Sequence, residues 1–202
     1  MTDKEFLENF YFSELTGDLL ANCEPFVCGH DDLDDFFNND AIKYTEKMIG
    51  RTYVFRPKAE PTTLACAFSI SNDSLRITEL SNRKQEHFRE TNDLGEKRLK
   101  RYPGILIGRL AVSQNLSRQG IGSALMNFIK VWLGKGNKAG CRFLIVDARN
   151  AEDAIAYYLK NNFEFLFNSE EEESVCTRKD KTFVKQTTRL MYFDMKNIIT
   201  TF

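Results

Sequence analysis

Where an apolar run gives way to an amphipathic one, the 202-residue chain carries two glycines a single residue apart, in Val112-Ser-Gln-Asn-Leu-Ser-Arg-Gln-Gly-Ile-Gly-Ser-Ala-Leu125. Gly104–Ser113 (GILIGRLAVS) has the composition of a buried strand, and apolar residues at 121, 124, 125, 128, 129 and 132 have the spacing of a helix with one face in a core. A strand that enters a helix through a short polar turn leaves the first helical amides without partners, at the positive end of the helix dipole. An anion placed there meets several N–H donors at once. Gly120 and Gly122 lack the β-carbons that would hold a diphosphate off those amides, and each costs a helix about 0.5–1 kcal/mol relative to Ala. Two readings stand: glycines chosen for close helix–strand packing, or a turn built to grip phosphate. The dinucleotide fingerprint G-x-G-x-x-G fails at Leu125, and the phosphate loop G-x-x-x-x-G-K-S/T is absent.

The remaining pattern predicts one mixed α/β domain over residues 1–202. Leu33, Phe36, Phe37, Ala41, Tyr44 and Met48 share a helical face over 31–48, with Asp31 or Asp32 as its cap. Strands are expected at Arg51–Arg56 and Leu64–Ile70, and residues 72–103 form an inserted polar segment in which a helix would be interrupted at Gly95. Beyond the glycine-containing helix, Phe143–Val146 reads as a strand buried on both faces. Asn150 with Asp153 then offers a helix cap, and Ala154, Ile155, Tyr158 and Leu159 share the inward face behind it. Phe163–Phe167 is expected to be a strand, Glu170–Glu173 a solvated loop, and Lys181–Met195 a long final strand. Strand–helix–strand order in the second half demands at least one parallel crossover.

Composition narrows the class. With 17 Phe, 7 Tyr and 1 Trp the chain has enough rings for a core, which excludes an intrinsically disordered protein. Lys and Arg total 28 against 29 Asp and Glu, so no global field draws it to nucleic acid or membrane. Locally, residues 81–101 hold seven basic side chains (83, 84, 89, 97, 98, 100, 101) against four acidic ones (86, 90, 93, 96). Five dispersed cysteines without a C-x-x-C pair, and only two His, read as reduced thiols of a cytoplasmic protein with no metal site. The acidic, polar beginning Met1-Thr-Asp-Lys-Glu-Phe is no signal peptide, and no run reaches the roughly 18 apolar residues of a membrane span.

Ser117-Arg118-Gln119-Gly120-Ile121-Gly122 resembles the acetyl-CoA motif of the GNAT acetyltransferases, Gln/Arg-x-x-Gly-x-Gly/Ala after a strand. Both glycines match, while Ser117 stands where that family has Gln or Arg. Downstream, Val146-Asp-Ala-Arg-Asn150, Ala154, Tyr157-Tyr158 and Asn162-Phe163 resemble the family's closing strand–Asn–helix–Tyr–Gly–Phe pattern, with Asn162 in place of Gly. Phe26-Val-Cys-Gly-His-Asp-Asp-Leu-Asp-Asp-Phe-Phe37, with Arg51–Val54 and Gly108–Val112, is similar to a subgroup that includes toxins acetylating aminoacyl-tRNA.

The resemblance implies a mostly antiparallel sheet flanked by helices, with one splayed parallel strand pair holding acetyl-CoA as acetyl donor. It implies diphosphate on the amides of Arg118, Gln119, Gly120, Ile121, Gly122 and Ser123, and pantetheine along Leu110, Ala111 and Val112. Asn150 is expected either to touch the pantetheine arm or to cap the next helix. Tyr158 is expected either to protonate the leaving thiolate or to be a core tyrosine, with Tyr157 the lesser candidate; a phenol with an ordinary pKa near 10 carries a proton at neutral pH. No base stands out: Glu79, acting directly or through water, and His87 are the candidates, with loss of the proton to a water chain the alternative. The implied reaction is acetyl transfer to a small-molecule or other amine-bearing acceptor by a monomer or homodimer. Two alternatives remain: a toxin that acts on charged tRNA and is paired with an antitoxin protein, or an acyl-CoA-binding sensor without turnover.

Overall fold

The computed structural model describes residues 1–92, 99–137 and 140–198. Gly95, and with it Asp93, Glu96, Lys97 and Arg98 of the basic stretch, lie outside the described residues. In chain order the elements are α1 (Asp3–Asn9), β1 (Phe10–Glu14), α2 (Gly17–Ala21), α3 (Asp31–Asp35), α4 (Ala41–Glu46), β2 (Arg51–Pro57), β3 (Cys66–Arg76), α5 (Asn82–Asn92), β4 (Arg101–Val112), α6 (Ile121–Gly134), β5 (Phe143–Arg149), α7 (Glu152–Lys160), β6 (Glu164–Phe165), α8 (Glu170–Thr177) and β7 (Thr188–Asp194). Among the described residues the strands form a seven-stranded sheet in the order β1-β2-β3-β4-β5-β7-β6. The pairs β1–β2, β2–β3, β5–β7 and β6–β7 are antiparallel, and β4–β5 is parallel. This is the mixed sheet with a parallel crossover that the strand–helix–strand order demands.

The chain divides into two compact units, with boundaries inside β3 and β4. The first comprises Met1–Ser71 and Ile107–Lys135. Its β1–β3 strands carry Phe12, Tyr53, Phe55 and Phe68 against Phe128 and Trp132 of α6, with Phe12 and Phe128 centroids 4.7 Å apart and Tyr53 and Trp132 4.7 Å apart. A second cluster joins Leu15, Phe26, Phe36, Phe37, Val54 and Ala111. The helical run over 31–48 is divided: a wide π turn at Phe36–Asp40 separates α3 from α4. Asn38 accounts for the registration, accepting from the Phe26 amide at 2.8 Å and donating to the Phe26 and Asp34 carbonyls. The cap is His30 without a side-chain bond, not Asp31 or Asp32.

The second unit comprises Asn72–Leu106 and the chain from Gly136 onward. Phe88 of α5 is 1% exposed and packs on Phe143 at 5.5 Å and Tyr192 at 5.2 Å, so the polar insert contributes a core residue. Gly104 leaves room where β4 meets β5: a β-carbon there would lie 2.6 Å from Ile145 Cδ1 and 3.1 Å from the Phe143 carbonyl oxygen, so the Ile145 side chain would have to shift.

Three expectations are corrected here. Glu170–Glu173 is not a loop but the first turn of α8, capped by Ser169. Glu173 is buried, where it accepts from Arg189 Nε and from the Leu190 amide, both at 2.7 Å; an anion at a helix start is favoured by the dipole. The Phe163–Phe167 strand shrinks to Glu164–Phe165, and the final strand begins only at Thr188 because Lys181–Thr187 has no ladder partner among the described residues.

Candidate functional site

In the first unit, β4 ends at Val112 and the chain is pinned before it reaches the helix. The Ser113 amide donates to the Ala65 carbonyl at 2.8 Å and the Gln114 amide to that of Val27 at 2.9 Å. A 3-10 turn over Gln114–Leu116 follows. Arg118 (φ 61°) and Gly120 (φ 83°) are both left-handed, a region that a residue without a β-carbon enters at no steric cost. Gly120 is the N-cap of the fourteen-residue α6, and no side chain caps that end. Ser117, Arg118, Gln119 and Gly120 are all exposed, and Gln119 Nε2 donates to the Asn115 carbonyl at 3.3 Å. Ile121 is 1% exposed, so its side chain roots the turn in the core and leaves only its amide for a ligand. Ser123 is half-buried in the same first helical turn.

An uncapped helix start beside an exposed guanidinium fits a diphosphate: the amides supply donors and Arg118 supplies charge. Leu110 and Val112 are half-buried at the end of β4, and Ala111 is packed into the Phe36–Phe37 cluster. A recess of about 310 Å³ opens beside the turn, lined by Glu24, Pro25, Val27, Thr63, Ser113 and Gln114. The sequence patterns singled out neither Glu24 and Pro25 nor Thr63 of this lining, because nothing local marks two loops that meet only in the fold.

In the second unit the parallel ladder is three pairs long, Gly104–Phe143 to Leu106–Ile145. On its other edge β5 pairs with β7 along its whole length, Phe143 to Arg149. Tyr158 stands on α7, half-buried, its ring 5.4 Å from Phe163 and 5.2 Å from Tyr157. The Phe163 amide returns to the Tyr158 carbonyl at 3.0 Å, with Asn162 left-handed at φ 59°. Asn thus meets the conformation that Gly would otherwise serve. Burial pushes the Tyr158 phenol up to about 12, so it stays protonated throughout the physiological range.

Asn150 is not a helix cap. Ala151 occupies that position, and Asn150 donates instead through Nδ2 to the Gln186 carbonyl at 2.9 Å while its amide bonds Thr187. The reason is that the chain after β5 needs two more residues before helical geometry begins. Of the candidate bases, Glu79 is tied to Arg76 at 2.7 Å and His87 lies exposed on α5 beside Phe88.

Residues 86–165 match the family model described as the acetyltransferase (GNAT) domain. The matched stretch, which holds β4, the glycine turn, α6, β5 and α7, is thus similar to a GNAT acetyltransferase domain. Among solved structures, the fold is similar to AtaT complexed with acetyl-methionyl-tRNAfMet (18% identity, TM-score 0.68, covering 94% of this chain and 97% of that one). It is similar also to a point mutant of KacT (19%, TM-score 0.68, 94% and 97%) and to AtaTR bound with AcCoA (19%, TM-score 0.67, 95% and 96%). At these identities the likeness is one of fold. No curated protein sequence matches the chain.

Proposed function

We propose that this protein transfers the acetyl group of acetyl-CoA to a primary amine, and that the amine is the aminoacyl group of charged tRNA. The observation that supports the first statement is the start of α6, which no side chain caps and where exposed Gly120 stands two residues from the exposed Arg118. The second is supported by the fold shared with a toxin seen with acetyl-methionyl-tRNAfMet and with its antitoxin. By the same reasoning an antitoxin protein is a proposed partner. Acetyl-CoA, when bound, supplies the thioester. Leu110, Ala111 and Val112 then align the pantetheine arm through backbone hydrogen bonds, and a strand N–H polarises the carbonyl where negative charge develops. Asn150 takes part through its side-chain oxygen, since its Nδ2 donates to the Gln186 carbonyl and its side chain also hydrogen-bonds the Glu170 carboxylate. Tyr158 gives its proton to the departing sulfur as the carbon–sulfur bond breaks.

Two measurements test this reading. Acetyl-CoA at about 100 times its Kd should stabilise the fold by roughly 2.7 kcal/mol, and Gly122→Glu, which sets a carboxylate against the diphosphate, should abolish the effect. Label from acetyl-CoA should appear on aminoacyl-tRNA; transfer to free amino acids or polyamines but not to charged tRNA would overturn the choice of acceptor.

A further inference from the structure

Acetyl transfer needs a group to take the proton that the amine sheds; Glu79 is paired with Arg76, and His87 lies on α5 beside Phe88. β5 carries another candidate. Its run Phe143-Leu-Ile-Val-Asp-Ala148 is buried except at Asp147, which is exposed. Strand alternation puts Asp147 on the face of Phe143 and Ile145, and Leu144, Val146 and Ala148 on the other. The faces are independently fixed. Ile145 pairs with Tyr192 and Phe143 packs on Phe88, both in the cluster under α5. On the opposite face Leu144 pairs with Phe193, whose ring lies 5.8 Å from Phe163, which in turn meets Tyr158 at 5.4 Å. Asp147 and Tyr158 therefore flank the same strand from opposite sides, two residues beyond the last parallel pair at Ile145.

We propose that Asp147 is the catalytic carboxylate that receives the acceptor amine's proton, from the face of β5 opposite the acid Tyr158. The proposal rests on the acetyl-transfer reading. A nucleophile approaches a thioester carbonyl from a direction different from that of the leaving sulfur, so acid and base on opposite faces suit the reaction better than neighbours on one face would. As the nitrogen–carbon bond forms, the amine proton passes to the Asp147 carboxylate. As the carbon–sulfur bond breaks, Tyr158 protonates sulfur. Water returns the proton from Asp147 to the Tyr158 phenolate, so the net change is one proton moved from nitrogen to sulfur. Among the described residues the Asp147 carboxylate has no hydrogen-bond or ion-pair partner. The charged groups that face it are carboxylates, Asp73 on β3 and Glu173 on α8, the latter engaged by Arg189 of β7. Desolvation and these two negative charges hold its carboxyl above the ordinary range, which makes it a better base.

The test is kcat against pH, with acetyl-CoA and charged tRNA, for wild type, Asp147→Asn and Asp147→Glu. Asp147→Asn is expected to lower kcat about 10²–10⁴-fold at neutral pH. The deficit should shrink as rising pH supplies hydroxide to take the proton in place of Asp147, the acetyl-CoA thermal shift should be unchanged, and Asp147→Glu should restore part of the rate. A wild-type kcat in Asp147→Asn, or a deficit equal at every pH, overturns the role of Asp147 while leaving the function intact. A wild-type protein that binds acetyl-CoA but acetylates no charged tRNA overturns the acceptor reading and this inference with it.

Discussion

Tyr158 shows how one side chain's surroundings decide its chemistry. On α7 it is half-buried between Tyr157 and Phe163, and burial raises the phenol to about 12. A proton held that firmly is present at every physiological pH. Tyr158→Phe should cut turnover about 10²–10⁴-fold with an unaltered acetyl-CoA thermal shift, and steady-state kinetics beside melting curves would check both. At the turn, Gly120→Ala forces a β-carbon into a left-handed conformation at roughly 1–2 kcal/mol, and that carbon would lie 3.2 Å from the Met1 nitrogen. Weaker acetyl-CoA binding and a lowered Tm are expected together. Both positions are legible in the sequence, because a strand–turn–helix pattern and a helical face are local. The bonding of Asn150 is not, since what decides it is Gln186, thirty-six positions away.

At the scale of elements, periodicity locates α6, β4 and β5 closely and misses where elements stop. Lys181–Thr187 looks as strand-like as Thr188–Asp194 by composition, but strand extent is set by the partner, and β5 offers pairs only from Thr188 to Asp194. The acidic run 170–173 reads as solvated until Arg189 is found beside Glu173, with side-chain exposures of 12% and 6%. Removing one member of so buried a pair leaves an uncompensated charge, so Glu173→Ala should destabilise by about 3–5 kcal/mol, measured by urea unfolding; a loss within about 0.5 kcal/mol, usual for surface sites, would contradict the burial. Gly104→Val should cost about 1–3 kcal/mol through overpacking against Ile145 and the Phe143 carbonyl.

Across the whole molecule, the near-balance of 28 basic and 29 acidic residues conceals strongly shifted groups. Lys130 of α6 is 6% exposed, and desolvation lowers its amine to about 8. Between that value and the usual one near 10.5 the unfolded chain binds the proton that the folded chain lacks, so stability should rise with pH there. The Cys28 and Cys66 thiols, ordinarily near 9.0, act in the opposite sense, because burial raises both, Cys28 to about 12. Above the ordinary value the folded state alone holds these protons, and stability should fall; Tyr158 adds to the fall from near 10.0 up to about 12. A melting-temperature profile that climbs above pH 8 and turns over near about pH 9 is therefore expected, with the climb flattened in Lys130→Met. A monotonic decline from neutral pH would contradict it. Nothing local marks Lys130 in the sequence, since a lone lysine on an amphipathic helix normally reaches solvent. The whole reading depends on backbone nitrogens at the start of α6 receiving the coenzyme's diphosphate. Titration of ¹⁵N-labelled protein with coenzyme A, followed by amide NMR, measures those nitrogens directly. The largest shifts are expected at Gly120, Ile121, Gly122 and Ser123; saturation by coenzyme A with these four amides unmoved would contradict it.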